Sequence, residues 1–325
     1  MATALTFADH LGHWQMRWGL GRMRYRVAPG LYAVGAPDAD SPVLVTANYK
    51  MTVDLLRCEL LGIPAWLLVL DTKGINVWCA AGKGTFGTAE LIRRVAESQL
   101  GEVVRHRTLI LPQLGAPGVA AHEVKQGCGF RVIYGPVRAA DLPAFLANGL
   151  QATPAMRRVT FTVVERLVLT PVEITGMLPR IFWAAGSLLI LGGIGSQFFS
   201  LNAAVSRGGT AIAAGLAGIL TGAVLVPVLL PWLPGRMFAV KGAFAGLLIA
   251  GAGAMIFGSR LGILNGIALL LALPAVAAWC AMNFTGATPF TSPSGVEKEM
   301  RRTLPFQAVA LLAAGICWVA GAFLS

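Results

Sequence analysis

The amino-acid sequence predicts an α/β domain with a parallel, doubly wound sheet, followed by an all-α transmembrane domain of five helices. Three observations lead there. Between residues 43 and 149 short apolar runs alternate four times with segments of helical periodicity, the pattern of strands joined by crossover helices. After residue 176 come five apolar runs of about 20 residues each, the length a helix needs to cross the hydrocarbon core. Charge thins at the same place: 18 of the 26 Lys and Arg and 13 of the 15 Asp and Glu precede residue 176. A mean hydropathy of +0.68 with 13% charged residues excludes an ordinary soluble enzyme.

Residues 1–40 form an N-terminal arm with Trp14, Trp18, Arg17, Arg22, Arg24 and Arg26 before Pro29-Gly30. Two readings stay open: a helical arm and turn packed on the domain, or an arm lying on an acidic membrane surface, where tryptophan and basic residues are favoured. The first ten residues lack the basic and apolar regions of a cleavable signal, so the N-terminal half is expected in the cytoplasm.

Residues 41–175 are the ligand-binding domain. Val43–Val45 reads as the first strand, and residues 51–61 as a helix with Val53, Leu56 and Leu60 inward. Trp66–Leu70 is a continuous apolar run, the mark of a strand buried on both faces, and Asp71 ends it. Gly74–Gly87 then reads as a glycine-rich turn leading to an amphipathic helix, 88–100, capped by Thr88. Strands 108–111 and 130–134 and helices 119–126 and 139–149 follow, and Arg158–Ile174 is expected to add a last strand and connector. Ligands of such sheets bind at the carboxyl ends of the strands, which directs attention to loops 46–50, 71–87, 112–118 and 135–138.

Residues 176–325 are the transmembrane domain, with spans at about 180–204, 209–233, 239–259, 261–282 and 304–324. Arg157, Arg158, Arg166, Arg180, Arg236, Lys241, Lys298, Arg301 and Arg302 fall on one side, and Arg207 and Arg260 on the other. The positive-inside rule then puts the N-terminal domain in the cytoplasm and Ser325 outside. Lys241 lies near a span end and can snorkel; Gln197, Asn265, Pro227 and Pro231 are the remaining polar or helix-breaking features. So little polarity favours a multi-pass anchor in the cytoplasmic membrane over a conducting path.

Five cysteines without a CxxC pair exclude a disulfide framework and a cysteine-held zinc or iron–sulfur site, so redox electrons must come from another protein. His10, His13, His106 and His122 show no metal-ligand spacing, and His122-Glu-Val-Lys-Gln126 lacks the second histidine of H-E-x-x-H. Gly82-Lys-Gly-Thr-Phe-Gly87 matches G-x-G-x-x-G, but about eleven residues past its strand, where a dinucleotide fingerprint wants a tight turn. A P-loop fails because Val77 and Gly84 stand where a glycine and a Ser or Thr belong. Cys280 and Cys317 read as lipid-buried small apolar residues, and Cys58 and Cys128 as ordinary domain cysteines. Cys79 differs: Ala80, Ala81 and Gly82 leave space beside the sulfur, and Asn76 and Trp78 supply a donor and a flat apolar face. A buried structural cysteine, a nucleophile and a metal ligand are all open, with ligand favoured because no histidine base belongs to the strand-end loops.

Asn76-Val-Trp-Cys-Ala-Ala-Gly-Lys83 resembles the cap-helix signature N-(V/I)-W-C-A-(A/G)-G-K of the HgcA family, the membrane-anchored corrinoid proteins of microbial mercury methylation. That family joins a Rossmann-like corrinoid domain, related to the corrinoid iron–sulfur protein, to five transmembrane helices. The resemblance implies a cobalamin-type corrinoid held base-off, with the Cys79 thiolate as lower axial ligand of cobalt. A strong donor opposite the methyl group favours its transfer as a carbanion equivalent to Hg(II), a soft electrophile, producing methylmercury. It also implies an HgcB-like ferredoxin supplying electrons and Hg(II), and a methyltetrahydrofolate-type donor or its methyltransferase. Membrane lipid is a further partner; nucleic acid is not, and no iron–sulfur cluster belongs to this chain. Corrinoid contacts are extrapolated to Thr46, Asn48, Asn76, Val77, Trp78, Cys79, Ala80, Ala81, Gly82, Gly84, Thr85, Gln113, Leu114, Gly115, Gly118, Tyr134, Gly135 and Pro136. For Thr46 and Asn48, capping of helix 51–61 is the equal alternative. Two other functions remain in view: a membrane-bound corrinoid methyl carrier with another acceptor in one-carbon metabolism, and a dinucleotide-binding membrane enzyme.

Overall fold

A computed structural model describes residues 1–196, 198–284, 288–290 and 293–324, so Gln197 and Ser325, named above, lie outside the described residues. The chain forms two compact units, Met1–Thr160 and Phe161–Ser325.

In the first unit the elements run α1 (Phe7–Arg17), β1 (Gly30–Val34), β2 (Val43–Ala47), α2 (Lys50–Cys58), β3 (Ala65–Leu70), α3 (Val77–Gly82), α4 (Thr88–Glu97), α5 (Leu100–Val103), β4 (Thr108–Leu111), α6 (Ala121–Cys128), β5 (Arg131–Tyr134) and α7 (Leu142–Ala147). The sheet order is β1-β3-β2-β4-β5, with β2 to β5 parallel and β1 antiparallel to β3. Strand β1 corrects the reading of residues 1–40 as helix and turn alone. Its side chains are only half-buried apart from Val34, so its apolar signal is weak, and pairing with β3 decides its conformation.

Parity along the strands explains the layers. Val43, Val45, Ala47, Leu68, Leu70, Leu109 and Leu111 share one core with Leu91, Val95 and Val124. Leu44, Ala65, Leu67 and Ile110 point the other way and pack with Leu60, Leu142 and Phe145. Alternate residues of a strand face opposite sides, so a sheet apolar at both parities must be covered on both faces. The chain leaves β2 toward one face and β4 toward the other. These neighbours therefore flank a topological switch point at their carboxyl ends.

Helix α1 is fastened to α2 by charge. Arg57 donates to Asp9 Oδ2 at 2.8 Å and to Asp54 Oδ1 at 2.9 Å; Lys50 contacts Asp54 Oδ2 at 2.7 Å and also Asp9; His13 Nε2 lies 2.9 Å from Asp54 Oδ2. The hydrogen bond from Lys50, with those from Thr6, holds the Asp9 carboxyl far below the usual carboxylate range despite burial. For Asp54, burial works to raise the carboxyl, but hydrogen bonds from Lys50, His13 and Arg57 outweigh it and lower it. A group lowered by folding stabilises the fold fully above its unfolded value, near 3.9 for aspartate, and loses that contribution as pH falls toward the folded value. Acidification below about pH 4 is accordingly expected to release α1 from α2. Amide exchange of residues 7–17 measured against pH checks this, and Asp9→Asn should flatten the profile.

Among the described residues, the second unit has four helical stretches long and apolar enough to cross a membrane: Val163–Gly193, Leu201–Leu229, Phe238–Asn283 and Ser294–Leu324. Two expectations change here. Arg158–Ile174 contains no strand; helix Val163–Leu167, opened by a Thr162–Glu165 capping box, and helix Thr170–Gly193 occupy it instead. Its Val and Thr alternation was overridden by that cap and by Pro171 in the first turn, where proline suits a helix.

The spans expected at 239–259 and 261–282 lie in one helical stretch, Phe238–Asn283, which is broken at Gly262 (φ 72°, ψ 166°). The two halves fold back on each other. A Cβ on Gly242 would lie 2.6 Å from the Ala277 carbonyl oxygen, and one on Gly246 would lie 2.7 Å from Pro274 Cα. Close approach of this kind is what small residues permit between helices in lipid. Lys241 does not snorkel: it is buried and donates to the carbonyls of Leu230 at 2.8 Å and Leu233 at 2.5 Å, just past the second stretch. Buried Glu299 accepts the Ala239 amide at 2.6 Å, capping the third stretch.

Candidate functional site

Loops from β2, β3, β4 and β5 gather at the carboxyl edge of the parallel strands. Asn48, directly after β2, is 1% exposed and organises the turn after β3. Its Oδ1 accepts the amides of Thr72 at 3.1 Å and Gly74 at 2.9 Å, and its Nδ2 donates to Asp71 Oδ1 at 3.1 Å. Glu90 of α4 accepts the Asp71 amide at 2.8 Å. The turn needs this support because Lys73 and Gly74 both take positive φ, 57° and 76°. Neither Thr46 nor Asn48 caps α2: the cap position is Tyr49, without a side-chain bond, and Thr46 is a buried strand residue, 2% exposed. The sequence marks Asp71 only as the end of its strand and the start of loop 71–87, and gives Thr72 and Glu90 no role at the site. The available signal was an Asn one residue after β2, level with an Asp one residue after the neighbouring parallel strand.

The glycine-rich stretch is not a bare turn. It contains α3, whose N-cap Asn76 accepts the Cys79 amide at 2.9 Å through Oδ1. Val77, Ala80 and Ala81 face the core, whereas Trp78 (39% exposed), Cys79 and Gly82 face outward. That removes the reading of Cys79 as a buried structural cysteine: it is exposed and unpaired with sulfur. Added Cβ atoms on Gly82 and Gly84 would meet nothing within 4 Å, so the surface beside the sulfur is open.

Loop 112–118 supports α3 from beneath. A Cβ on Gly115 would lie 2.5 Å from the Phe86 ring, and one on Gly118 would lie 2.1 Å from the Phe86 carbonyl oxygen and 3.0 Å from Ala81 Cα. Phe86 is fully buried between them. Gln113 accepts from Arg157 Nη1 at 2.5 Å, and Tyr134 donates to the Val119 carbonyl at 2.5 Å. Of the residues extrapolated as contacts, Trp78, Cys79, Gly82 and Gly84 are exposed. Asn76, Thr85, Gln113, Leu114, Gly118 and Tyr134 are half-buried, and Thr46, Asn48, Val77, Ala80, Ala81, Gly115, Gly135 and Pro136 are buried. The buried ones shape the site from below and present no side chain to a ligand.

Thr88 is also corrected. Gly87 is the N-cap of α4, and the Thr88 hydroxyl instead accepts the Ala120 amide at 2.9 Å. Gly82 ends α3 and Gly87 opens α4, so G-x-G-x-x-G links two helices and does not form the strand-to-helix turn that cradles a pyrophosphate. Among the described residues no three His, Cys, Asp or Glu side chains converge as a metal site. A metal at Cys79 would thus have one protein ligand and would bring its other donors with it.

Comparison with known proteins finds similarity in the first unit. Residues 20–146 match the family described as CO dehydrogenase/acetyl-CoA synthase delta subunit. The gamma subunit of the acetyl-CoA decarbonylase/synthase complex from Methanopyrus kandleri is 37% identical over 123 residues, covering 37% of this chain and 26% of that protein. The Archaeoglobus fulgidus subunit is 32% identical over 127 residues, 38% of this chain and 27% of its own. Subunit gamma 2 of Methanosarcina thermophila is 37% identical over 120 residues, 35% and 25% of the two chains. The match spans about a quarter of the length of these relatives. The segment that carries Cys79 is therefore similar to subunits of acetyl-CoA decarbonylase/synthase complexes, and the helices after residue 161 lie outside the matched family region.

Proposed function

We propose that the first unit holds a corrinoid with Cys79 as the lower axial ligand of its cobalt, and that the chain, anchored in the cytoplasmic membrane, methylates Hg(II) to methylmercury. The observation that carries this reading is the exposed thiol on the outer face of α3, at the ligand edge of the sheet, with open surface beside it. The residues present fit the group: a lone protein sulfur suffices for a metal whose equatorial donors belong to a macrocycle, and such a ring needs the flat approach that Gly82 and Gly84 leave. When bound, a corrinoid supplies methyl transfer from its metal. The protein's part is positional. Asn76 fixes the first turn of α3, Trp78 offers an apolar face, and the glycines of loop 112–118 hold α3 against the sheet. Asn76, Thr85, Gln113 and Tyr134, half-buried at this edge, would meet the ring's polar substituents.

An HgcB-like ferredoxin would supply electrons and Hg(II), and a methyltetrahydrofolate-type donor or its methyltransferase the methyl group. Similarity to acetyl-CoA decarbonylase/synthase subunits favours one second reading, a membrane-bound methyl carrier with a different acceptor. The test is the full chain purified anaerobically from cobamide-fed cells. Co-purifying cobamide is expected, as is methylmercury formed from added Hg(II) once a methyl donor and a low-potential reductant are supplied. Cobamide without methylmercury selects the second reading, and a preparation that binds no cobamide rejects both.

A further inference from the structure

Helix α1 is amphipathic the wrong way round for a helix lying on a soluble domain. At 3.6 residues per turn, Phe7, Leu11, Trp14 and Trp18 fall in one stripe about 60° wide. That stripe faces out: Phe7 is 81%, Leu11 46% and Trp14 61% exposed. The opposite side, Asp9, Gly12, His13 and Met16, faces the domain, with Asp9 in the ion network and an added Cβ on Gly12 only 2.3 Å from the Tyr25 hydroxyl. A surface helix ordinarily turns its apolar stripe to the core and its charge to water. Here the charge is spent inward, so the apolar stripe is not required for folding the domain.

The stripe continues into the next turn, where Leu20 and Met23 are exposed among Arg22, Arg24 and Arg26. The sole acidic residue among the first 26 is Asp9, which points inward, so the outer surface of the arm carries no acidic side chain. The tilted Trp14–Trp18 pair, with ring centroids 5.5 Å apart, completes it. Tryptophan and phenylalanine flanked by arginine are the chemistry of an interfacial helix on anionic lipid. A bilayer is moreover within the chain's own reach, because a membrane-length helical stretch begins at Val163, three residues after the first unit ends.

We infer that α1 and the turn after it lie on an anionic bilayer surface, with Phe7, Leu11, Trp14 and Trp18 in the headgroup boundary and Arg22 and Arg24 on lipid phosphates. The consequence reaches the site. A Cβ on Gly74 would lie 3.3 Å from the Met23 carbonyl oxygen, so the arm abuts the turn that leads into α3. Lipid seating of the arm therefore holds that turn at the membrane surface. The inference does not depend on which cofactor Cys79 binds.

The test uses the full chain in lipid nanodiscs. Wild type and Trp14→Phe/Trp18→Phe are compared in discs of brominated phosphatidylcholine, with and without brominated phosphatidylglycerol. The wild-type minus variant difference isolates the arm from the other six of the eight tryptophans. Of these, Trp183, Trp232 and Trp318 in the second unit report bilayer contact independently. The expected result is loss of most of the difference fluorescence in anionic discs, a smaller loss in zwitterionic discs, and weakening by Arg22→Gln/Arg24→Gln. An unquenched difference signal while second-unit tryptophans are quenched overturns the inference, as does equal quenching in both lipids. So does a dimer in detergent that Phe7→Ser/Leu11→Ser separates, because a second copy would then cover the stripe.

Discussion

Cys79→Ala is expected to abolish methyl transfer while leaving the fold intact. The side chain is exposed on a short helix, its backbone amide keeps the bond to Asn76, and alanine is a better helix former than cysteine. Stability should therefore change by no more than about 0.5 kcal/mol, as for other surface substitutions away from packed features. Activity should fall by more than roughly a hundredfold, because loss of a mere supporting partner of a metal ligand already costs about 10–100-fold. Two measurements separate the causes. Thermal melting should coincide with wild type, whereas the optical spectrum of the cofactor-loaded variant should shift. An unchanged spectrum would show that the sulfur is not the axial ligand, whatever happened to the rate. Cys79→Ser, which keeps the size but not the soft donor, should behave like alanine.

Gly118→Ala should be the most damaging single methyl in the first unit. The new Cβ would meet the Phe86 carbonyl oxygen at 2.1 Å and Ala81 Cα at 3.0 Å. Both neighbours are backbone atoms of nearly fully buried residues, so no rotamer change relieves the overlap. Overpacking of this kind costs about 1–3 kcal/mol and occasionally more. At about 2–4 °C per kcal/mol for a unit of this size, a fall of roughly 2–12 °C in melting temperature is expected. Looser cofactor retention should accompany it, since the displaced element is α3. Gly84→Ala is the matched comparison: its Cβ would meet nothing within 4 Å, and only its φ of 78° is strained. That strain is worth about 1–2 kcal/mol. Equal losses from the two substitutions would show that loop 112–118 does not clamp α3.

Much of the sheet was readable because its strands are apolar at both parities. Trp66–Leu70 and Thr108–Leu111 have no polar face, so no amphipathic alternative competes for them. Strand β1 was not readable, since an edge strand with one buried residue carries little pattern. The helix inside the glycine-rich stretch escaped for a related reason. Six residues including a terminal glycine have no intrinsic helicity, and α3 stands only through its Asn76 cap and its packing on loop 112–118. The role of Asn48 was equally hidden, because its partners lie 23 to 26 residues away and meet it only once β2 and β3 pair.

By itself, the sequence determined the division into a parallel α/β unit and an apolar helical unit, because hydrophobic period and length suffice for both. It also singled out Cys79 through the small and aromatic residues around it. Only the tertiary structure decided that Cys79 faces outward, that Thr46 and Asn48 are buried and cap nothing, and that two expected spans join at Gly262. It alone showed that α1 turns its charge inward and its tryptophans out. The reason is physical: periodicity records how polar a face is, but which face meets the core is settled by partners far along the chain, here Lys50, Asp54 and Arg57 for Asp9 and His13.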